Sequence, residues 1–263
     1  MRIETPKKRR RRHAVEAPFP DQWRTLLESD MAHWRWLDGE ERDHLECLIK
    51  GFLFDKGFEW VAGLEESNEI KVLVAASACL LILGLEQAYY RDVTSIIMYP
   101  TQTTQKGHRG SPEAAGLATD AIVPILGEAM LHGPILIAWD SAKRSAAHAN
   151  TGHNVIYHEF AHKIDMADGS ADGLPPMAKA RRDRWEQVSR QAYEALRDGT
   201  DDTPFLNTYG AVNPAEFFAV ATEFFFDRPV DMEEREEDLY RVLREFYNQD
   251  TADRERRYGV RSR

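Results

Sequence analysis

Apolar residues recur every three to four positions in several parts of the chain, and this spacing predicts a helix-rich fold. Charged residues separate the apolar ones between Leu37 and Phe54, and a second helix is predicted from about Ile70 to Leu85. Two further segments, Met177 to Leu196 and Leu239 to Tyr247, have the pattern of amphipathic helices. The segment from Asn213 to Phe226 is apolar on most sides, which is typical of a buried helix.

Two short apolar runs have the character of β-strands. Tyr89 to Tyr99 is rich in Val, Ile and Met and ends at Pro100, and Ile135 to Trp139 follows a Gly-Pro pair. Thr101 to Ala121, between them, is polar and contains glycine, so we predict a loop or an irregular hairpin there. The elements together predict an α+β fold that is helix-rich and has a small sheet.

The ends of the chain differ in composition from its body. Residues 1–18 are predicted to form a basic disordered tail, residues 19–250 a single domain, and residues 251–263 a polar, frayed tail. The body is apolar enough to bury a core, since 43% of the whole sequence is hydrophobic and 30% is charged.

Charge is distributed unevenly along the sequence. The formal net charge is −10, but residues 1–13 carry a net +6, which leaves −16 on the rest of the chain. An acidic body repels phosphates and argues against broad binding of nucleic acid. The basic block from Lys7 to Arg12 is the part of the chain that suits a nucleic acid or an acidic partner.

The two cysteines and the apolar segments bear on the cellular location. Cys47 and Cys79 form no CxxC pair and no disulfide framework, which favours a cytoplasmic protein. The basic block is not followed by the apolar region of a secretory signal. The longest apolar run, Val72 to Leu85, is shorter than the ~20 residues of a membrane span and is predicted to be a buried helix.

Candidate chemistry lies in the run His158-Glu159-Phe160-Ala161-His162. Histidines four residues apart project from one face of a helix, so both imidazoles can bind a single zinc ion. Glu159 lies about 100° away around the helix, where it can take a proton from the attacking water and pass it to the leaving amine. The competing interpretation is two core histidines satisfied by hydrogen bonds, with Glu159 as an ordinary surface acid.

The third zinc ligand must be a carboxylate, because no histidine follows His162. The HExxHxxGxxH/D pattern would place it at Asp168, but that pattern requires glycine at the position of Asp165. Glu216 and Glu223 are the other candidates, seven residues apart on one face of the apolar helix. Glu216 is also suited to a capping box with Asn213, so spacing alone leaves the choice open.

Several stretches resemble the Mlc titration factor A family of bacterial zinc metallopeptidases, which are related in fold to the gluzincins and to the anthrax lethal factor catalytic domain. The resemblance covers roughly residues 19–230 and is most specific in HEFAHKID followed by a tyrosine and, seven residues later, a glutamate. The stretches that carry it are Phe19-Pro20 with Trp23, residues 75–85, Tyr99-Pro100, residues 133–139, residues 154–165 and residues 209–226.

The resemblance implies a zincin-like metallopeptidase domain and a role for each matching residue. It implies that His158, His162 and Glu216 bind Zn²⁺, that Glu159 is the catalytic base, and that Tyr209 donates a hydrogen bond to the oxyanion. Glu223 would then hold a histidine ring instead of the metal.

The resemblance also implies the substrate and a partner. It favours hydrolysis of peptides or proteins, in the manner of an aminopeptidase, with a transcription regulator as an alternative partner. The alternative function is a binding protein that sequesters a transcriptional repressor and has minor peptidase activity. Neither the basic block at residues 7–12 nor the residues beyond Tyr240 match the family.

Overall fold

The computed structural model describes residues 4–85, 87–101, 133–200 and 203–261. Most of these residues are helical, which confirms the predicted helix-rich α+β fold. The α-helices of the described residues are α1 (Pro6–Glu16), α2 (Asp21–Asp30), α3 (Gly39–Asp55), α4 (Asn68–Leu81), α5 (Trp139–Ala147), α6 (Val155–Asp165), α7 (Lys179–Asp198), α8 (Pro214–Asp227), α9 (Pro229–Arg235), α10 (Glu237–Tyr247) and α11 (Thr251–Arg261).

A three-stranded parallel sheet lies beside these helices, in the order β1 (Gly57–Trp60), β2 (Ser95–Tyr99), β3 (Ile135–Ala138). The prediction for β3 is confirmed, whereas the strand predicted from Tyr89 begins only at Ser95. A 3-10 turn, Gln87–Tyr90, precedes it. Strand β1 has no counterpart in the sequence analysis, because its four residues are exposed or half-buried and give no apolar run. The loop predicted from Thr101 to Ala121 lies, except for its first residue, outside the described residues.

Helices α4, α6 and α8 form the centre of the core. Every residue of α4 from Val72 to Leu81 is buried, as expected for so apolar a segment. α4 packs against α3 and α6, and α6 packs along α8. The apolar spacing of these helices therefore brings the His-Glu motif of α6 into the interior, next to the helix that carries the candidate acids.

The prediction of disorder over residues 1–18 is wrong for the described part, since Pro6–Glu16 forms helix α1. Thr5 caps the helix with its side chain, and Arg12 pairs with Glu4 and Glu16. Arg11 reaches across to Asp55 of α3 at 2.6 Å. Capping and ion pairs thus compensate for a helix that buries no residue fully.

The prediction of a frayed C-terminal tail is also wrong, because Thr251–Arg261 forms helix α11. Thr251 donates to the carbonyl of Phe225 at 2.7 Å, and the guanidinium of Arg254 lies 2.7 Å from Glu41. Arg254 is only 6% exposed. Polar residues at the chain end are therefore part of the packed structure, and a buried ion pair fixes them.

Among the described residues, no helix has the length and apolar character needed to cross a membrane. Cys47 is exposed and Cys79 is buried, and both are free thiols.

Candidate metal centre

Helix α6 begins at a side-chain cap that fixes its orientation. Asn154 accepts hydrogen bonds from the backbone N–H groups of Ile156 and Tyr157, both at 3.1 Å. Phe160 is fully buried, on the opposite side of the helix from the two histidines, since two residues correspond to about 200°. The apolar face of α6 therefore packs into the core and holds the imidazoles along one edge.

Three side chains from two helices meet at one point. Nε2 of His158 lies 3.2 Å from Nε2 of His162 and 3.1 Å from Oε2 of Glu216, and the remaining separation, from His162 to Glu216, is 3.4 Å. Among the described residues, these three form the group that can hold a metal ion. The structure brings together the same residues that the resemblance implied as ligands.

The spacing of these donor atoms fits a zinc ion. Zinc–nitrogen and zinc–oxygen distances of ~2.0–2.2 Å in a tetrahedral site place two ligand atoms about 3.3–3.5 Å apart. The three observed separations, 3.1 to 3.4 Å, are close to that value. Two imidazoles and one carboxylate are also a donor set typical of catalytic zinc, which leaves a fourth position for water or substrate.

Glu223 occupies a different position, on the other nitrogen of His158. Its Oε1 lies 2.8 Å from Nδ1 of His158, and the carboxylate is 3% exposed. A carboxylate in this place fixes the imidazole tautomer, keeping the proton on Nδ1 and leaving Nε2 to face Glu216. The geometry separates the two candidate acids, since Glu216 approaches both histidines and Glu223 supports one ring from behind.

The second oxygen of Glu223 is bound by the segment before α6. Oε2 accepts the backbone N–H of Asn154 at 2.6 Å and lies 3.1 Å from Nδ1 of His153. Both oxygens of Glu223 are therefore engaged away from the donor cluster. His153 and Asn154 were not identified as site residues by the sequence analysis, although Asn154 precedes the motif in the position of a helix cap.

The asparagine cap of α8 is present, but the capping-box alternative for Glu216 does not describe its side chain. Asn213 accepts the backbone N–H of Glu216 at 2.9 Å. The carboxylate of Glu216 points to the histidines instead of turning back to the cap. Pro214 starts the helix, so the first turn of α8 presents Glu216 at the cluster.

The electrostatics of this cluster favour positive charge. Burial lowers the pKa of His158, but its hydrogen bonds to Glu216 and Glu223 outweigh burial and raise that pKa well above the usual value. Burial raises the pKa of Glu216, and the two histidines reverse this effect and hold it below its usual range. The pKa of Glu223 is also lowered, since contacts with His153 and His158 exceed the cost of burial. Glu216 and Glu223 contact opposite nitrogens of His158, and together they stabilise positive charge on its imidazole.

Glu159 is half-buried, at the side of the histidine pair. Two neighbours respond to its charge. Burial is the main cause of the raised pKa of Tyr99, and the negative charge of Glu159 adds to it. Burial lowers the pKa of Lys163, and the charge of Glu159 acts in the opposite direction. Tyr99 and Lys163 thus belong to the surroundings of Glu159, which the sequence spacing did not reveal.

Tyr209 lies in a 3-10 turn, Thr208–Ala211, that leads into α8. Asn207 caps the turn by accepting the backbone N–H of Tyr209 at 2.9 Å. The Tyr209 ring is half-buried, and its centre is 5.9 Å from that of His158. The turn therefore places the phenol beside the histidine cluster, as the resemblance implied.

Asp168, the other ligand candidate, does not approach the cluster. It is exposed, and its carboxylate accepts the backbone N–H and the hydroxyl of Ser170. The chain does not turn back at this point as the HExxHxxGxxH/D pattern would require, because helix α6 continues to Asp165.

Asp165 ties the end of α6 to the start of α8. It is fully buried, and burial raises its pKa to about 6. Its carboxylate accepts the backbone N–H of Gly173 at 3.0 Å, and the carbonyl of Gly173 accepts the indole N–H of Trp185. A Cβ on Gly173 would lie 2.2 Å from the carbonyl oxygen of Pro214, the first residue of α8. This close approach joins the loop after α6 to the start of α8, beside the cluster.

We expect Gly173→Ala to destabilise the protein by about 2 kcal/mol more than Gly199→Ala. Both glycines have a positive φ, 74° and 63°, so both substitutions share the cost of a left-handed backbone. Only at Gly173 does the new Cβ meet another backbone segment, since nothing lies within 4 Å of the position at Gly199. Equilibrium unfolding in denaturant measures both variants, and equal losses of stability would contradict the close approach.

A second buried network supports α6 from the side away from the cluster. The imidazole of His33 lies 3.0 Å from the hydroxyl of Tyr157 and 3.3 Å from Asp227 at the end of α8. Asp227 also accepts the backbone N–H groups of Thr151 and Gly152, at 2.7 and 2.6 Å. This network fixes the loop before α6 to the end of α8. No local pattern predicts it, because its members are far apart in the chain.

The chain is similar to known proteins over most of its length. The family model described as glucose-regulated metallo-peptidase M90 matches residues 5–248. The expectation that the basic block and the residues beyond Tyr240 lie outside the family is therefore wrong as far as residue 248. An uncharacterized protein of Synechocystis sp. is 31% identical over 242 residues, covering 90% of this chain and 87% of that protein. Proteins named Mlc titration factor A are also similar. The one from Pectobacterium atrosepticum is 38% identical over 219 residues, 81% of each chain, and the one from Serratia proteamaculans is 28% identical over 243 residues, 90% of each.

Proposed function

This chain belongs to the glucose-regulated metallo-peptidase family, and on that premise we propose that it is a zinc-dependent peptidase whose metal is held by His158, His162 and Glu216. The observation that carries the proposal is the convergence of three donor atoms, 3.1 to 3.4 Å apart, from helices α6 and α8. A zinc ion bound there would lower the pKa of a water molecule and polarise the carbonyl of the scissile peptide bond.

The proposed roles of the protein groups follow from their positions. Glu159, half-buried beside the cluster, accepts the proton of the attacking water and transfers it to the leaving amine. Tyr209 donates its phenolic proton in a hydrogen bond to the oxyanion that develops on the carbonyl. Glu223 holds the His158 ring through Nδ1 and is a positioning residue.

The proposed substrate is a peptide or protein, bound in an extended conformation. Strand β3 is an edge strand of the described sheet and packs against α6. A substrate strand that pairs with β3 would therefore lie near the histidines. We further propose cleavage at a free amino end, which rests on the family resemblance. The cytoplasmic location stays a prediction based on the cysteines.

Metal analysis combined with a hydrolysis assay tests the proposal. The purified protein should contain one zinc ion per chain, lose it together with its activity on treatment with a chelator, and recover both when zinc is returned. The activity should be higher on chromogenic substrates with a free amino end than on the same substrates with that amino end blocked. A protein with no stoichiometric metal, or with full activity in excess chelator, would contradict the proposal. Preference for blocked peptides would contradict only the aminopeptidase specificity.

Tyr209→Phe should lower kcat about 100-fold, because it removes one hydrogen-bond donor to the oxyanion. The zinc content and stability should stay unchanged, since the ring still packs against His158. Tyr193→Phe is the matched control, because Tyr193 lies on α7 and packs against Phe217 and not against the histidines. Equal turnover of Tyr209→Phe and the wild type would show that the phenol is not the donor.

A second candidate function is binding of a transcription regulator, which the name Mlc titration factor A of several relatives favours. Under that alternative the chain would sequester a repressor and have minor peptidase activity. The complete set of His158, Glu159, His162, Tyr209 and Glu216 favours the peptidase, because a pure binding protein would not need the base. Partner binding that persists in a Glu159→Gln variant would show that the two functions are separable.

A further inference from the structure

A second pocket lies away from the metal cluster and has a volume of about 550 Å³. It is lined by helices α1 and α3, by Lys56 after α3, by the end of α4 with the residue that follows it, and by the segment leading into β2. Its charged lining consists of Asp55 and four basic side chains, Lys7, Arg11, Lys56 and Arg91. We refer to it as the basic pocket. Its volume is within the range of small-molecule sites, ~300–1,000 Å³.

The basic pocket is separate from the candidate metal centre. Phe52 and Tyr90 line it, and their rings contact Phe160 of α6, with ring centres 5.8 and 5.0 Å apart. Phe160 projects from the side of α6 opposite to His158 and His162. The pocket therefore reaches the rear of the active-site helix, while peptide hydrolysis is assigned to its front.

The charge of the basic pocket is unusual for this protein. Four cations and one acid give a net +3 in a chain whose formal net charge is −10. Arg11 contacts the single acid, Asp55, at 2.6 Å. Lys7 and Arg91 form no ion pair with any residue that the structure describes. Positive charge is thus concentrated in a concave site with too little acid to neutralise it.

Lys56 adds a cation at the wall of the pocket. It donates to the backbone carbonyl of Tyr90, and burial lowers its pKa below the usual value although the charges of Asp55 and Asp92 act in the opposite direction. An ammonium group that loses hydration in this way is stabilised by an anion placed next to it. The helical spacing of Lys7 and Arg11, four residues apart on α1, directs two members of the basic N-terminal block to the same place.

Part of the remaining lining is apolar, namely Leu48, Phe52, Ile82 and Val93, and Cys79, Tyr90 and Thr94 complete it. A bare inorganic ion would leave these surfaces in contact with water, whereas an organic molecule would cover them. Guanidinium groups match the geometry of phosphate oxygens, and several cations together suit a dianion. We propose that the basic pocket binds a small organic phosphate, with the phosphate group at the cations and the organic part on the apolar wall.

Phenyl phosphate is a suitable probe, because it joins a dianionic phosphate to an apolar ring. Isothermal titration of the full chain should show saturable binding of one molecule, tighter than the binding of inorganic phosphate. Arg91→Gln and Lys7→Gln should each weaken this binding about tenfold, the loss of one charge-assisted hydrogen bond. Both side chains are exposed, so the substitutions leave the core intact.

Matched controls separate a site from general attraction between charges. Arg9→Gln and Lys8→Gln remove the same charges from exposed positions of α1 that do not line the pocket, and they should leave the affinity unchanged. The proposal is overturned if the wild-type protein shows no saturable binding, or if the control variants lose as much affinity as Arg91→Gln and Lys7→Gln. Equal affinities for inorganic and phenyl phosphate would contradict the proposal that the apolar wall binds the organic part of the ligand. The test does not depend on peptidase activity, so its failure is distinguishable from failure of the proposed function.

Discussion

Glu159→Gln should lower peptide hydrolysis by at least ~100-fold while the protein keeps its zinc, because an amide cannot accept the proton of the attacking water. The substitution preserves the size of the side chain, and Glu159 is half-buried on α6 beside, not among, the three donor atoms. The fold and the metal content should therefore match those of the wild type. Single-turnover kinetics together with metal analysis measure both quantities on the same preparation.

A matched variant and a clear contrary result complete this experiment. Glu65→Gln removes the same charge from an exposed position between β1 and α4 and should leave turnover unchanged. Activity within a few-fold of the wild type in Glu159→Gln would assign the base to another group. Loss of zinc along with activity would mean that Glu159 supports the metal, which its position in the structure does not predict.

Glu216→Ala should abolish stoichiometric zinc binding, because it removes one of the three donors that the described residues bring together. The helix itself should survive, since Asn213 accepts the backbone N–H of residue 216 and this bond does not need the side chain. Inductively coupled plasma analysis after gel filtration gives the zinc content. Circular dichroism and equilibrium unfolding show whether the variant is folded.

Glu223→Gln is the comparison that distinguishes the two acids of α8. Its carboxylate fixes the ring of His158 through Nδ1, so its loss should weaken zinc affinity by about 10- to 100-fold without eliminating the site. Competition with a chromogenic chelator measures that difference. If Glu223→Gln lost all zinc and Glu216→Ala kept it, the third ligand would be Glu223, and the proposed role of Glu216 would be wrong.

The sequence by itself determined the local elements of this protein and the central part of the candidate site. The 3.6-residue periodicity of α3, α4, α6 and α10 is a local property. It places His158 and His162, four residues apart, on one face of α6. Such features depend on neighbours within one or two turns, so they are readable without a fold. The asparagine caps of α6 and α8 are local in the same sense.

The predictions of disordered ends, which were based on local composition, were wrong. The block from Lys7 to Arg12 has the composition of a solvated tail, and Thr251 to Arg261 is nearly as polar. In the folded protein both are helices, because carboxylates elsewhere in the chain pair with them, as Asp55 does with Arg11 and Glu41 with Arg254. Those partners are 44 and 213 residues away, and no local pattern specifies such pairs.

Helical spacing alone did not distinguish the two acids on α8, and the tertiary structure places them differently. Glu216 and Glu223 lie on one face of that helix, so periodicity treats them alike. Helix α6 packs along α8, and this packing brings Glu216 to both Nε2 atoms and Glu223 to Nδ1 of His158. The relative placement of two helices depends on contacts between residues distant in sequence, and the identity of the third donor depends on that placement.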